Sequence, residues 1–210
     1  MKLEELRPLD ERQERVLLVL EGGEKLKTNT AVAAELGLFA GMELTDGELA
    51  ALRAAVKKDA ARQRAARIVS CAAVSEKELR HRLVRKGETP EDAEDAAEWL
   101  KGLHFLNDEQ TAAQLARSAA RKGYGKARIQ GILHEKGIPR ELWDAALESL
   151  PEPDGAIDEF LQKRFGGGDP DEKTVQRAVD ALRRRGHGWQ DIQNGLRRYR
   201  DGLELDLEDT

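Results

Sequence analysis

One pattern of apolar residues, a cation and a glycine recurs three times along the chain at nearly equal spacing. It reads Leu79-x3-Leu83-x2-Lys86-Gly87, then Ile129-x3-Leu133-x2-Lys136-Gly137, then Ala178-x3-Leu182-x2-Arg185-Gly186. Apolar residues four apart lie on one helix face, the cation suits the negative end of the helix dipole, and glycine supplies a left-handed cap. Each copy therefore predicts the end of an amphipathic helix, and the glycine spacings of 50 and 49 residues indicate a repeat.

Further helices are predicted on both sides of each copy of the pattern. Those before it span Val56–Ala73, Glu109–Lys122 and Gly155–Arg164, and those after its glycine lie within residues 88–103, 138–150 and 187–199. Each of the later helices holds one tryptophan (Trp99, Trp143 or Trp189), which we expect to anchor a local core. Three helices per repeat, each sharing a core with its neighbours, are typical of a solenoid.

The first 55 residues follow a different pattern. The apolar run Val16–Leu20 is separated from Glu24–Thr28 by Gly22-Gly23, which predicts a β-hairpin. A short helix is expected next, over residues 30–36. Thr45 with Glu48 three residues later then forms a capping-box pattern, which marks the start of a longer helix.

These patterns predict a mostly α protein: an elongated array of three tandem three-helix repeats behind a small N-terminal cap that contains a β-hairpin. The predicted segments are the cap over 1–55, the repeats over 56–105, 106–152 and 153–203, and an acidic tail over 204–210. Composition agrees with a helical array, because aromatic residues are only 4% of the 210 residues while charged residues are 36%.

The single cysteine and the absence of long apolar segments bear on the cellular location. Cys71 cannot form an intrachain disulfide, and its Ala-rich surroundings predict a small buried side chain. No apolar stretch approaches the roughly 18 residues of a membrane span, and the N-terminal residues lack the apolar core of a signal peptide. We therefore expect a cytoplasmic protein.

Charge alternates in blocks that follow the repeat, although the whole chain carries a net charge of −5. The net charge is +7 over residues 57–87, −7 over 88–116, +6 over 117–140, −7 over 141–159 and +6 over 173–200. The basic blocks cover the middle helix of each repeat together with part of its first helix. Repeats stacked in one orientation would align these helices into a basic stripe that attracts a polyanion or an acidic protein surface.

The candidate stripe consists of Lys and Arg residues in and beside the predicted basic helices. They are Arg62, Arg64, Arg67, Lys77, Arg80, Arg82, Arg85, Lys86, Arg121, Lys122, Lys126, Arg128, Arg183, Arg184 and Arg185. The alternative for each residue is an ordinary solvated helix face with ion pairs between neighbouring turns.

The residues do not form a catalytic constellation. The four histidines (His81, His104, His134 and His187) have no metal-ligand spacing with one another or with the one cysteine, and we predict no metal and no cofactor. Gly123-Tyr124-Gly125-Lys126 resembles a phosphate loop only superficially, because it lacks the spacing and follows no strand. We interpret it as a turn between helices, with an anion contact at the next helix N-terminus left open. The chain is therefore not expected to be an enzyme.

Several segments in order resemble the RecX family over roughly residues 56–200. The most specific is Gly123-Tyr-Gly-Lys126-Ala-Arg128-Ile129, which runs into the second glycine-ended helix, and Phe105-Leu106-Asn107-Asp108 is similar to the junction before it. Ser75–Gly87 and Arg183–Gly186 resemble the corresponding parts of the first and third repeats. His187 departs from the family pattern, which has an aromatic residue after the third glycine.

The resemblance implies a regulator that binds the RecA filament on single-stranded DNA and lies along its groove. It would inhibit ATP hydrolysis, strand exchange and co-protease action by occupying the groove, as a monomer and without chemistry of its own. Two other functions stay open. One is a DNA-binding module that acts without RecA, and the other is a helical scaffold for an unrelated protein; an enzyme comes last.

Overall fold

The computed structural model describes residues 1–12 and 14–208, with side chains described no further than residue 202. It is mostly helical with a small N-terminal sheet, which confirms the predicted fold class. Contacts divide the chain into two units, one of residues 1–72 with 78–106 and one of residues 73–77 with 107–210. The finer division into three repeats stays a prediction.

The sheet at the start of the first unit has three antiparallel strands in chain order: β1 (Leu3–Pro8), β2 (Arg15–Leu20) and β3 (Lys25–Asn29). The predicted hairpin is β2 with β3, and its turn uses φ values of 89° and 86° at Gly22 and Gly23. Strand β1 was not predicted, because its sequence LEELRP is dominated by charge. Leu3 is nonetheless fully buried, since β1 pairs with the apolar strand β2.

Two helices follow the sheet, α1 (Thr30–Glu35) and α2 (Asp46–Cys71). The capping box of Thr45 and Glu48 is present at the start of α2, as the sequence predicted. Helix α2 is one continuous helix of 26 residues, so the boundary predicted between residues 55 and 56 falls inside it. One face of its first half packs against the sheet through Leu49 and Leu52.

A buried carboxylate fixes the second half of α2 to the end of the sheet. Asp59 is 6% exposed. It accepts hydrogen bonds from Thr28 Oγ1 at 3.0 Å, from the backbone and side-chain amides of Asn29, and from Gln63 Nε2 at 2.8 Å. Asn29 in turn caps α1, so this one carboxylate positions β3, α1 and α2 together.

The first unit is completed by α3 (Glu76–Arg85) and α4 (Pro90–Gly102). The first glycine-ended pattern forms α3 as predicted, with Leu79 and Leu83 fully buried and Gly87 at a φ of 95°. Helix α4 begins at Pro90, with Thr89 as its N-cap, and packs against α2.

The second unit holds two groups of three helices, each around its own core. The first group is α5 (Asp108–Arg121), α6 (Lys126–Glu135) and α7 (Trp143–Glu148), with a 3-10 turn over Arg140–Leu142 before α7. The second group is α8 (Asp154–Phe165), α9 (Glu172–Arg184) and α10 (Trp189–Glu208). Helices α8 and α10 approach closely, because Gly195 leaves room for Ile157.

Three sequence predictions are wrong or altered in detail. Cys71 is exposed rather than buried, since it is the last residue of α2. Trp189 is 59% exposed at the start of α10 and anchors no core, unlike the half-buried Trp99 and Trp143. Helix α10 runs through Glu208, so the predicted acidic tail begins inside it, and residues 209 and 210 lie outside the described residues.

Candidate partner-binding surface

The turn between α5 and α6 contains Gly123, Tyr124 and Gly125. Gly123 has a φ of 72°, which explains one glycine by backbone conformation. Gly125 has an ordinary φ of −82° and serves as the N-cap of α6 without a side chain to cap it. The second glycine therefore needs a reason other than backbone conformation.

That reason is a close backbone contact with the loop between α9 and α10. A Cβ added at Gly125 would lie 2.3 Å from the Gly186 carbonyl oxygen, and one added at Gly186 would lie 2.3 Å from the Arg128 amide nitrogen. The Gly125 and Ala127 amides donate to the carbonyls of Arg185 and Gly186 at 2.9 and 3.2 Å. The motif thus joins the two helix groups of the second unit.

His187, directly after Gly186, completes this junction. It is 7% exposed, and its Nε2–H donates to the Gly123 carbonyl at 3.0 Å. The residue that departs from the family's aromatic pattern is therefore buried, with one ring nitrogen bonded to the turn that contains the motif.

An equivalent contact occurs one repeat earlier, at residues 75–77 of the second unit. Ser75 stands 50 residues before Gly125, and its hydroxyl donates to the carbonyl of Lys136, the cation that precedes Gly137. The Glu76 amide donates to Asp108 Oδ1 at 2.8 Å, and the Lys77 stem packs over Gly137. In both places a loop of the form cation-Gly contacts the start of a preceding middle helix.

These contacts show whether the backbone amides at the start of α6 are free to bind an anion. Two of the amides that would hold an anion there already donate to the Arg185 and Gly186 carbonyls. The N-terminus of α6 is thus a structural junction rather than a free anion site.

Four cations of the predicted stripe are ion-paired inside the first unit. Arg62 pairs with Asp95 at 2.9 Å, Arg80 with Glu94 at 2.6 Å and Arg82 with Glu78 at 2.6 Å; Arg64 pairs with the buried Glu88. Arg62 also lies 5.5 Å from the centroid of the Trp99 ring. The acidic block of residues 88–98 therefore partly neutralises the basic block before it.

The pKa values of two α4 carboxylates show this pairing. Thr89 donates to Asp92 and, with Lys57 nearby, holds the pKa of that carboxyl below its usual value. Burial acts to raise the pKa of Asp95, but the ion pairs with Lys58 and Arg62 outweigh burial and hold the pKa below its usual value. Both carboxylates stay ionised at neutral pH and bind α4 to α2.

The other predicted stripe residues have weaker partners or none. Arg128 lies 3.8 Å from Glu135, and Arg185 lies over the Phe160 ring at 4.8 Å. Nine stripe residues are exposed and have no ion-pair partner among the described residues: Arg67, Lys77, Arg85, Lys86, Arg121, Lys122, Lys126, Arg183 and Arg184. Arg198 of the second unit, which is not a stripe residue, forms ion pairs with Asp154 and Asp158.

Sequence reasoning treated all fifteen stripe residues alike and so missed the division into paired and unpaired cations. The alternating charge blocks were the available signal, because a +7 block followed by a −7 block permits pairing between neighbouring helices. Among the described residues, no group of three or more His, Cys, Asp or Glu side chains could hold a metal ion. No described helix is long and apolar enough to cross a bilayer.

The fold and surface define a class: mostly helical proteins with a small N-terminal sheet, in which cationic helix ends lie beside glycine loops. Comparison with known protein families then identifies the family of this chain. The model of the second three-helix domain of RecX matches residues 107–147. A regulatory protein RecX from Cronobacter sakazakii is 33% identical over 151 aligned positions, and the match covers 65% of this chain and 90% of that protein. This chain belongs to the RecX family of regulatory proteins.

A further relative and two solved structures are also RecX proteins. A regulatory protein RecX from Xanthomonas campestris is 33% identical over 138 residues, covering 64% of this chain and 80% of that protein. A crystal structure of regulatory protein RecX has a TM-score of 0.72 at 22% identity, covering 92% of this chain and 98% of that one. RecX from Lactobacillus salivarius has a TM-score of 0.59 at 19% identity, covering 71% and 97%. These two structures support the fold.

Proposed function

We propose that this protein is a non-enzymatic negative regulator of the RecA recombinase. It binds the RecA filament on single-stranded DNA as a monomer, occupies the filament groove, and thereby inhibits ATP hydrolysis, strand exchange and co-protease activity. It acts in DNA repair and the SOS response, in the cytoplasm where the chromosome lies. Membership of a family of regulatory proteins supports the regulatory role.

The observation that carries the proposal is the set of exposed cations without ion-pair partners among the described residues. Arg85 is the last residue of α3 and Lys86 stands between it and Gly87, whereas Arg183 and Arg184 are the last residues of α9, shortly before Gly186. Cations that are already neutralised contribute little to a new partner, whereas unpaired ones attract DNA phosphates or acidic protein groups. We therefore assign the contact to these unpaired cations rather than to Arg62, Arg64, Arg80 and Arg82.

The experiment measures RecA ATP hydrolysis on single-stranded DNA while the protein is titrated at moderate salt. The test variant carries Arg85→Glu, Lys86→Glu, Arg183→Glu and Arg184→Glu. The control reverses two charges away from these helix ends, Lys25→Glu and Lys27→Glu on β3, which are exposed cations for which the described residues offer no ion-pair partner. Changing Arg80 or Arg82 is avoided, because that would break ion pairs within the first unit.

We expect inhibition by the wild type and the control, and loss of inhibition by the test variant. If the wild type neither inhibits hydrolysis nor sediments with RecA filaments, the RecA proposal is wrong. Binding to DNA alone would then take first place, provided that its affinity falls steeply with salt and that the test variant has a shallower slope. Removing one cation that binds a phosphate should reduce that slope by about 0.9 on double-stranded DNA or about 0.7 on single strands.

A further inference from the structure

We propose that a cavity in the second unit binds a small organic anion carried on a flat ring, of the chemical class of a nucleoside monophosphate. The cavity has a volume of about 450 Å³ and lies between α5, the start of α6, the connection from α7 to α8, and His187. Sites for small molecules commonly have volumes of about 300–1,000 Å³ and mostly apolar walls. The lining of this cavity does not include Arg85, Lys86, Arg183 or Arg184, the four cations that the RecA experiment changes.

The walls suit an apolar, planar body. Ile129, Leu150 and the two prolines Pro151 and Pro153 form much of the lining, and the half-buried ring of Tyr124 joins them. Aromatic and proline faces stack well on a heteroaromatic ring, because such contacts bury large flat surfaces. A lone inorganic ion would leave this apolar surface unused.

Charge at the rim indicates an anion. Arg117, Arg121 and Lys126 line the cavity, are exposed, and have no ion-pair partner in the described chain. Glu152 is the acidic residue of the lining, so cations outnumber it. Arg117 and Arg121 are four residues apart on α5 and therefore share one helix face. Such a pair suits the several oxygens of a phosphate group.

The wall contains a buried polar atom, the Nδ1 of His187. The Nε2–H of His187 donates to Gly123, but its Nδ1 has no hydrogen-bond partner among the described residues, although the side chain is only 7% exposed. Buried polar atoms are nearly always hydrogen-bonded, so an exception calls for a partner or another explanation. A donor on the polar edge of a bound heterocycle is the partner that this nitrogen lacks.

Isothermal titration calorimetry on the full chain tests the proposal with three probes: AMP, adenosine and inorganic phosphate. We expect AMP to bind about tenfold or more tightly than either fragment, because only AMP uses both the apolar walls and the cationic rim. Arg121→Glu and Lys126→Glu should each weaken AMP binding about tenfold or more. Ala156→Leu, which fills part of the cavity, should weaken AMP and adenosine alike.

The matched control is Arg183→Glu, another unpaired exposed arginine of the second unit, which lies outside the cavity lining. It should leave AMP affinity unchanged, and the ring signals of His187 should shift in NMR spectra as AMP is added. Equal binding of AMP and phosphate, or equal weakening by Arg183→Glu, would overturn the proposal. So would binding of an acidic peptide, but not of AMP, at the same residues. None of these outcomes bears on the RecA ATPase experiment.

Discussion

Replacing Gly125 with alanine tests whether the glycine-rich turn serves as a junction between helix groups. The φ of −82° at Gly125 is acceptable for alanine, so the added methyl group brings no backbone strain. It would, however, stand 2.3 Å from the Gly186 oxygen, 2.4 Å from the Gly186 carbonyl carbon and 2.5 Å from the His187 nitrogen. All three are backbone atoms, so no side chain can rotate away.

The expected cost follows from the contacts that must open. Two backbone hydrogen bonds, from Gly125 and Ala127, contribute about 0.5–1.5 kcal/mol each. Overpacking adds about 1–3 kcal/mol, and the reduced freedom of the unfolded chain offsets about 0.4–1 kcal/mol. The free energy of unfolding of the second unit should therefore fall by about 2–4 kcal/mol.

Gly131→Ala is the matched control, because Gly131 lies inside the same helix with nothing within 4 Å of an added Cβ. It should raise stability by about 0.5–1 kcal/mol through helix propensity. Urea unfolding followed by circular dichroism measures both variants, and hydrogen exchange of the Gly125 and Ala127 amides reports the junction directly. An unchanged unfolding midpoint for Gly125→Ala, with both amides still protected, would refute the argument.

Three further predictions concern carboxylates. Asp59→Ala should destabilise the first unit by about 1–3 kcal/mol in urea unfolding, because it removes the acceptor of the hydrogen bonds from Thr28 and Asn29 of β3 and from Gln63 of α2; a decrease below about 1 kcal/mol would contradict this network. Asp108→Ala should lower stability by about 1 kcal/mol in the same assay, because it removes the cap on Glu76, and Asp108→Asn by less. The folded pKa of Asp95 is depressed below 3.8, so its stabilisation is complete above that pH and is lost as the pH falls through the folded pKa. Asp95→Asn should therefore flatten the acid limb of a stability–pH curve, and an unchanged limb would argue against the ion pairs with Lys58 and Arg62.

Local signals predicted most of the helices correctly. The ends of α3, α6 and α9 were predicted because glycine at positive φ and the period of the apolar residues both act within a few residues. The capping box of Thr45 was predicted for the same reason. Helix α2 was divided in two, since its Ala- and Arg-rich middle offers no clear apolar stripe to follow.

The candidate site was predicted only in part. The sequence identified the cations, because charge is a property of residue type. It did not separate Arg80, which pairs with Glu94 on another helix, from Arg85, which has no such partner among the described residues. Pairing of that kind depends on which helices pack together, and the cavity beside Tyr124 depends on the same packing.

By itself the sequence determined the helical class, the three glycine-ended helices, the β2–β3 hairpin and the membership of a regulatory family, because each rests on residue type and short-range spacing. Only the tertiary structure decided that β1 joins the sheet, that Gly125 faces Gly186, and that Asp59 is a buried acceptor. Each of these brings together residues far apart in the chain. Their energy comes from contacts that exist only after packing, so no local pattern in the sequence records them.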